Sequence, residues 1–105
     1  MQKITTYWRD IPSQVMFQKS RSQRGKAMLS ERFQEAIDRA AMRSGSGGTD
    51  DYLADWRKEP ETVEDVDADL TELAQQEVDR IEALYSDEDL KQLVLGFGRV
   101  QASEG

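Results

Sequence analysis

The chain has 105 residues, a formal net charge of −7 and neither cysteine nor histidine. This length suits one domain with one modest core, and the missing thiol and imidazole groups exclude disulfides, Cys/His zinc sites and the Ser-His-Asp triad. Because no run of about 18 apolar residues occurs and the first residues do not form a signal peptide, we expect a cytoplasmic protein without membrane contact.

The charge is divided unevenly along the sequence. Residues 1–48 contain nine Lys/Arg and four Asp/Glu, a net charge of +5, whereas residues 49–105 contain five and seventeen, a net charge of −12. Such a division indicates separate interaction surfaces or pairing between the two halves. The acidic total disfavours nucleic acid as a partner of the whole protein, because phosphate binding depends on an excess of cations.

The N-terminal segment predicts an antiparallel β-hairpin. Residues 3–8 are β-favouring types, and Val15 and Phe17 alternate with polar neighbours, which places them on the inward face of a second strand. The segment from Arg9 to Pro12 is predicted to turn between these strands. Residues 20–27 have no hydrophobic period and include a glycine, and we interpret them as a basic loop.

Two helices are predicted in the middle of the chain. Ser30 is a suitable N-cap for the first helix, and Gly45 is a suitable end for it. Thr49 is predicted to begin a second, short helix that ends between Arg57 and Pro60. The inward positions of the first helix are Phe33, Ala36, Ile37, Ala40 and Ala41, and those of the second are Tyr52, Leu53 and Trp56.

The acidic C-terminal half predicts a long amphipathic helix over residues 67–85. Ser86 and Asp89 have the spacing of a capping box, which predicts a shorter helix after it, closed by Gly96 and Gly98. The apolar stripe of the long helix is predicted at Leu70, Leu73, Ala74, Val78, Ile81, Leu84 and Tyr85.

These elements predict a small α+β domain. The N-terminal hairpin packs against several helices, residues 61–66 could add a third strand, and the domain covers residues 1–100. Residues 101–105 are predicted to be a mobile tail.

Three short motifs resemble ligand-binding loops but lack required residues. Asp65, Asp67 and Asp69 match a calcium loop, yet Leu70 occupies the position of its glycine and Glu77 comes one residue too late. The stretches "SQRGKA" and "GSGGTD" likewise lack residues that nucleotide-binding loops need. We therefore expect no metal site and no cofactor.

Two groups of residues are candidates for a binding surface. The cations of the basic loop could bind an acidic partner or a polyanion, with a merely solvated loop as the alternative. The second group joins aromatic residues to arginines that could pair with carboxylates, with core packing as the alternative. The interaction loop consists of Lys19, Arg21, Arg24 and Lys26, and the Trp/Arg face consists of Tyr7, Trp8, Arg9, Asp10, Trp56 and Arg57.

The leading hypothesis is a binding or accessory module that docks through the interaction loop and the Trp/Arg face on a partner protein with an acidic surface, since the charge is asymmetric and most catalytic groups are missing. One alternative is an enzyme or small-ligand protein that uses Arg9, Asp10, Asp38 and Arg57. A regulator that touches nucleic acid through the basic loop is a third hypothesis. A homo-oligomer formed through the helix at residues 67–85 is compatible with each of them.

Three blocks resemble a known bacterial family: "YWRDIPSQV", "ERFQEAIDRAAMRSG" and "TDDYLADWR". In this order they resemble the virulence-factor family, whose domain also occurs within conserved virulence factor C proteins. The resemblance covers about residues 4–62 and implies no reaction and no catalytic residues. It implies an accessory role in folate- and corrinoid-linked methyl transfer, because genes of short members often lie beside genes of that chemistry. The motif positions are Tyr7, Trp8, Arg9, Asp10, Arg39 and Arg43.

Overall fold

A computed structural model describes residues 1–43, 45 and 53–98, and within this part it confirms the predicted α+β class. The sheet is antiparallel, and its strands have the order β3-β2-β1-β4. The strands are β1 (Gln2–Trp8), β2 (Ile11–Gln18), β3 (Arg24–Met28) and β4 (Trp56–Thr62), and the helices are α1 (Glu31–Arg43), α2 (Leu70–Leu84) and α3 (Asp87–Leu95).

The predicted hairpin is confirmed, with a shorter turn than the sequence indicated. Trp8 pairs directly with Ile11, so only Arg9 and Asp10 lie between the strands. The pairing register shifts between Thr6 and Tyr7, and a shift of this kind marks a β-bulge. Val15 and Phe17 are buried as predicted.

The basic loop prediction is wrong for its second half. Residues 24–28 form β3, which pairs with β2. A Cβ atom on Gly25 would lie 2.3 Å from the backbone nitrogen of Thr71 at the start of α2, so only glycine allows this approach. The strand was missed because its inward positions are Gly25 and Ala27, which are small residues rather than β-branched ones.

The short helix predicted before Pro60 is confirmed at residues 53–54, but its predicted end is wrong. Residues 53–54 are helical, but Trp56 and Arg57 already belong to β4, which runs beside β1. The third strand expected near residues 61–66 therefore lies earlier and overlaps that range at residues 61–62 only. Thr49 and Tyr52 lie outside the described residues, as does the predicted tail.

The helix predictions agree with the structure at Gly45, at the capping box and in most of their buried positions. Ser86 and Asp89 form the predicted capping box. Gly45 follows the end of α1 with a φ of 77°. Leu84 departs from the predicted stripe, because 61% of it is exposed. The buried residues of α1 are those predicted, Phe33, Ala36, Ile37, Ala40 and Ala41, and those of α2 are Ala74, Val78 and Ile81.

Among the described residues, the helices cover one face of the sheet and leave the other open. The long helix α2 packs on β2 and β3, whereas α1 packs on β2 and on α3. The core lies between these layers, with Trp8, Ile11 and Ile37 at 0% exposure. No helix in the described ranges is long and apolar enough to cross a membrane. In the described part of the chain, the open face of the sheet is therefore a surface that the fold can offer to a partner.

Candidate functional site

Cations and apolar side chains lie together on the open face of the sheet. Lys26 of β3 pairs directly with Met16 of β2. Gln14 of β2 and Lys58 of β4 both pair with Thr6 of β1, which lies between them. Side chains of residues directly paired across strands point to the same face, so these residues form one surface. A shallow recess of about 450 Å³ runs between them. The basic sheet face, as we name it, consists of Gln14, Met16, Arg24, Lys26 and Lys58.

The charge of this face is not neutralised by its own strands. Glu59 and Glu61 of β4 pair with Thr5 and Lys3 of β1, which places both glutamates on the face that the helices cover. Lys3 accordingly contacts Glu61 and, at 3.2 Å, Glu77 of α2. In the described part of the chain the strands thus carry no carboxylate on the open face.

The three cations of the basic sheet face are exposed. None of them forms an ion pair with another residue that the structure describes. Met16 lies half-buried between them, and a flexible thioether beside free cations can adapt to an apolar side chain of a partner. This arrangement of an apolar centre with a charged rim is typical of protein interfaces.

The structure divides the predicted interaction loop into two parts. Arg24 and Lys26 belong to β3, whereas Lys19 and Arg21 lie in the turn between β2 and β3. That turn is closed by the Lys19 amide, which donates to the Gln23 carbonyl at 2.9 Å. Lys58, which lies on the same face as Lys26, was missed. The sequence signal for Lys58 was the alternation in "WRKEPET", which places Lys58 on the opposite face of the strand from Arg57 and Glu59.

A second cluster lies at the turn between β1 and β2. Arg9 has a positive φ of 53°, a conformation that is strained for any residue other than glycine. Its Nε donates to Asp55 Oδ2 at 3.0 Å, and its Nη1 donates to the Phe97 carbonyl at 2.6 Å. Its backbone amide donates to the Asp55 carbonyl at 3.1 Å. The turn is therefore tied both to the segment before β4 and to the segment after α3.

The accessible part of this cluster is a small recess lined by Tyr7, Asp10, Arg57 and Glu59. The Arg57 guanidinium lies 4.8 Å from the centre of the Tyr7 ring. It pairs with Glu59 at 2.9 Å and with Asp10 at 3.7 Å. These contacts agree with the expectation that arginines beside the tryptophans meet carboxylates.

The tryptophans of the predicted Trp/Arg face have different surroundings. Trp8 is fully buried, with the Arg9 guanidinium 4.7 Å from its ring centre. Trp56 is half-buried in β4. Trp8 thus packs the core beneath the turn, and a partner would meet Tyr7 and Arg57 instead.

The residues named for the enzyme hypothesis do not all meet. Arg9, Asp10 and Arg57 lie around the turn, where Arg57 also donates to the Arg9 carbonyl. Asp38 lies on the exposed side of α1, where it accepts a hydrogen bond from Gln34 one turn earlier. Asp38 therefore does not line the recess at the turn.

A further arginine, Arg32 of α1, joins three helices and was not singled out from the sequence. It donates to the carbonyls of Glu82 and Tyr85 at the end of α2 and to Asp87 at the start of α3. The signal for it was the absence of a basic residue in the last turn of α2, since a cation is favourable there.

Glu82 completes this helix junction. Burial alone would raise the pKa of Glu82, but hydrogen bonds from Ser30 and Arg32 outweigh it and hold that pKa below its ordinary value. The Ser30 amide, just before α1, donates to Glu82 at 2.6 Å. The contacts of Arg32 and Glu82 therefore align the three helices.

The arginines of the family motif lie elsewhere. Arg39 lines a groove between α1 and α3, and the Arg43 guanidinium lies 5.6 Å from the Phe97 ring.

The chain matches the family model described as Virulence factor over residues 6–94. The match extends beyond the three blocks of the sequence resemblance, since it includes α2 and most of α3. No curated protein and no solved structure matches the chain. Because the match covers most of the chain, from the first hairpin to the last helix, this protein belongs to the Virulence factor family.

Proposed function

We propose that this protein is a small accessory module that docks through its basic sheet face on an acidic surface of a partner protein. The observation that carries the proposal is the group of three exposed cations, Arg24, Lys26 and Lys58, on an open sheet face. Exposed cations that pair with no carboxylate in the described ranges and lie around an apolar side chain attract a complementary acidic surface and orient it.

A protein partner fits this surface better than a nucleic acid does. The chain as a whole carries a charge of −7, which repels a phosphate backbone outside the immediate contact. Proteins that bind single strands also stack bases on aromatic side chains, whereas the basic sheet face is lined by Gln14 and Met16. The face is therefore suited to carboxylates and apolar side chains.

The cytoplasmic location and the accessory role belong to this proposal. The family resemblance directs the first search for a partner toward proteins of folate- and corrinoid-linked methyl transfer, and the geometry adds the requirement that the partner surface be acidic. The homo-oligomer through the helix at residues 67–85 stays a prediction, and within one chain that helix already packs on β2 and β3.

The test is the binding of a purified partner to two matched triple variants. One variant, R24E/K26E/K58E, reverses the charge of the basic sheet face. The control, R39E/R43E/K91E, reverses the same number of exposed charges on α1 and α3, away from the interaction loop. A candidate is first isolated by crosslinking from an extract of the native bacterium and is then produced separately, so that binding is measured between two pure proteins.

We expect the face variant to raise the Kd by at least about tenfold and the control to change it by less than about twofold. The Kd of the wild type should also rise with salt concentration, because exposed charges are screened. Equal losses in both variants, or none in the face variant, would refute docking through this face.

A further inference from the structure

We infer that the segment of the partner that binds here is an extended acidic strand, which adds to the free edge of β3. This inference deepens the proposed function and depends on it. In β-strand addition the backbone of an extended peptide supplies hydrogen bonds to a sheet edge, and its alternate side chains supply specificity. The position of β3 at the end of the sheet order makes it an edge strand.

The backbone direction of β3 follows from one hydrogen bond. The Leu29 amide donates to the Ser13 carbonyl of β2 at 3.0 Å. Backbone groups alternate in direction along a strand, so the groups of Ala27 and Gly25 also point toward β2. Those of Arg24, Lys26 and Met28 therefore point outward from the sheet, and no backbone group elsewhere in the described ranges bonds to them.

The outward residues are also those whose side chains lie on the open face. Arg24 and Lys26 belong to the basic sheet face, and 56% of Met28 is exposed. In an antiparallel addition, a residue directly opposite Lys26 exchanges hydrogen bonds with it and points its side chain to the same face. A partner strand with a carboxylate at every second position would thus place carboxylates beside Arg24 and Lys26.

The opposite edge of the sheet is protected against such an addition. In β4 Pro60 has no backbone N–H, and Glu59 and Glu61 would repel an acidic strand. A lysine on an edge strand normally discourages pairing between sheets. On β3 the two cations reject a basic or second identical strand while they attract an acidic one, so the same residues give selectivity.

The test uses a capped peptide of alternating Glu and Val, together with two isomers that carry N-methyl groups on every Glu or on every Val. N-methylation removes the backbone donor but keeps the side-chain charge. Binding is followed by amide chemical shifts of the isotope-labelled protein. Antiparallel addition to β3 predicts that the Glu-methylated isomer binds at least about tenfold more weakly, whereas the Val-methylated isomer binds as the parent does.

Two substitutions at one exposed position make a matched pair on the protein side. Met28→Pro removes an outward N–H, and Met28→Ala keeps it. Proline is tolerated on an edge strand where the lost N–H faces solvent, and thermal unfolding shows whether the Pro variant keeps its fold. We expect the Pro variant to weaken binding about tenfold relative to the Ala variant. If it does not fold, the methylated peptides alone decide.

The outcomes separate this inference from the proposed function. Equal binding of the parent and both methylated peptides, with loss in the R24E/K26E/K58E variant, would disprove strand addition and leave docking by charge intact. A parent peptide that fails to bind at low salt would also overturn strand addition. Failure of the proposed function itself is recognised with the purified partner, when the same triple variant binds as the wild type does.

Discussion

Arg9, in the turn that joins β1 and β2, forms an ion pair with Asp55, and its Nε lies 3.0 Å from Asp55 Oδ2. Both side chains are largely buried, at 14% and 23% exposure. The pair connects the first hairpin with the segment that leads into β4, two parts of the chain that are 46 residues apart. Its geometry explains how a non-glycine residue is kept at a positive φ: several hydrogen bonds hold it there.

Removal of this pair should destabilise the fold. We expect Arg9→Ala and Asp55→Asn each to lower the free energy of unfolding by about 1–3 kcal/mol, since each removes the charge-assisted hydrogen bond between two largely buried side chains. The double variant should lose less than the sum, with a coupling of about 1 kcal/mol. Urea unfolding of the four proteins measures this, and Arg21→Ala, on an exposed turn, is the control. Strict additivity would show that the two residues act independently.

Gly98 connects the end of α3 with the same turn. Its φ is 86°, a Cβ atom there would lie 2.7 Å from Cζ3 of Trp8, and its carbonyl accepts from the Asp10 amide at 2.7 Å. Gly98→Ala should therefore cost about 2–4 kcal/mol, because strain and overpacking act together. Gly45→Ala is the matched control: its φ is 77°, but a Cβ atom there would lie within 4 Å of no atom in the described ranges, so it should cost about 1 kcal/mol. Equal losses in thermal unfolding would contradict the packing role of Gly98.

Gly25 controls the contact between β3 and α2. A Cβ atom would lie 2.3 Å from the Thr71 nitrogen and 2.6 Å from the Leu70 carbonyl carbon, and backbone atoms cannot move aside cheaply. Gly25→Ala should lower the free energy of unfolding by about 2–4 kcal/mol. Lys26→Ala, next in sequence but on the open face, should change it by less than about 0.5 kcal/mol. The same pair of variants also shows that the basic sheet face can be altered without loss of the fold.

Elements with their own local signals were predictable from the sequence. The stripe of α1 and the capping box of Ser86 and Asp89 depend on spacing within one segment, and both appear as expected. The strands β3 and β4 were not predictable in this way, because Gly25 and Trp56 occupy strand positions only through pairing with β2 and β1. Tertiary pairing of this kind overrides local preference.

The same distinction applies to the candidate sites. Arg24 and Lys26 could be found in the sequence as part of a run of cations. That Lys58 lies on the same face follows only from the strand order β3-β2-β1-β4, in which two strands separate β3 from β4. For Arg32 the sequence gives only an indirect signal, the missing cation in the last turn of α2, because its acceptors are the carbonyl groups of Glu82 and Tyr85 some fifty positions away. Sequence spacing therefore finds surfaces built from one segment and misses those that the topology assembles.

Glu82 gives the fold a specific dependence on pH. Its carboxylate accepts from the Ser30 amide at 2.6 Å and from Arg32 Nη2 at 3.1 Å, and its pKa lies below the ordinary value because these bonds outweigh the effect of burial. A carboxyl group whose pKa is lower in the folded state stabilises the fold above its unfolded pKa, and that stabilisation is lost as the pH falls through the folded pKa.

We therefore expect Glu82→Gln to lower the free energy of unfolding by about 1–2 kcal/mol at pH 7. The difference from the wild type should shrink as the pH falls below about 4.5 and vanish once the carboxylate of the folded wild type is protonated. Urea unfolding of both proteins over a pH series measures this difference, with Glu64→Gln, an exposed loop position, as the control. A loss that stays constant down to about pH 3 would mean that Glu82 acts through its shape and neutral hydrogen bonds rather than through its charge.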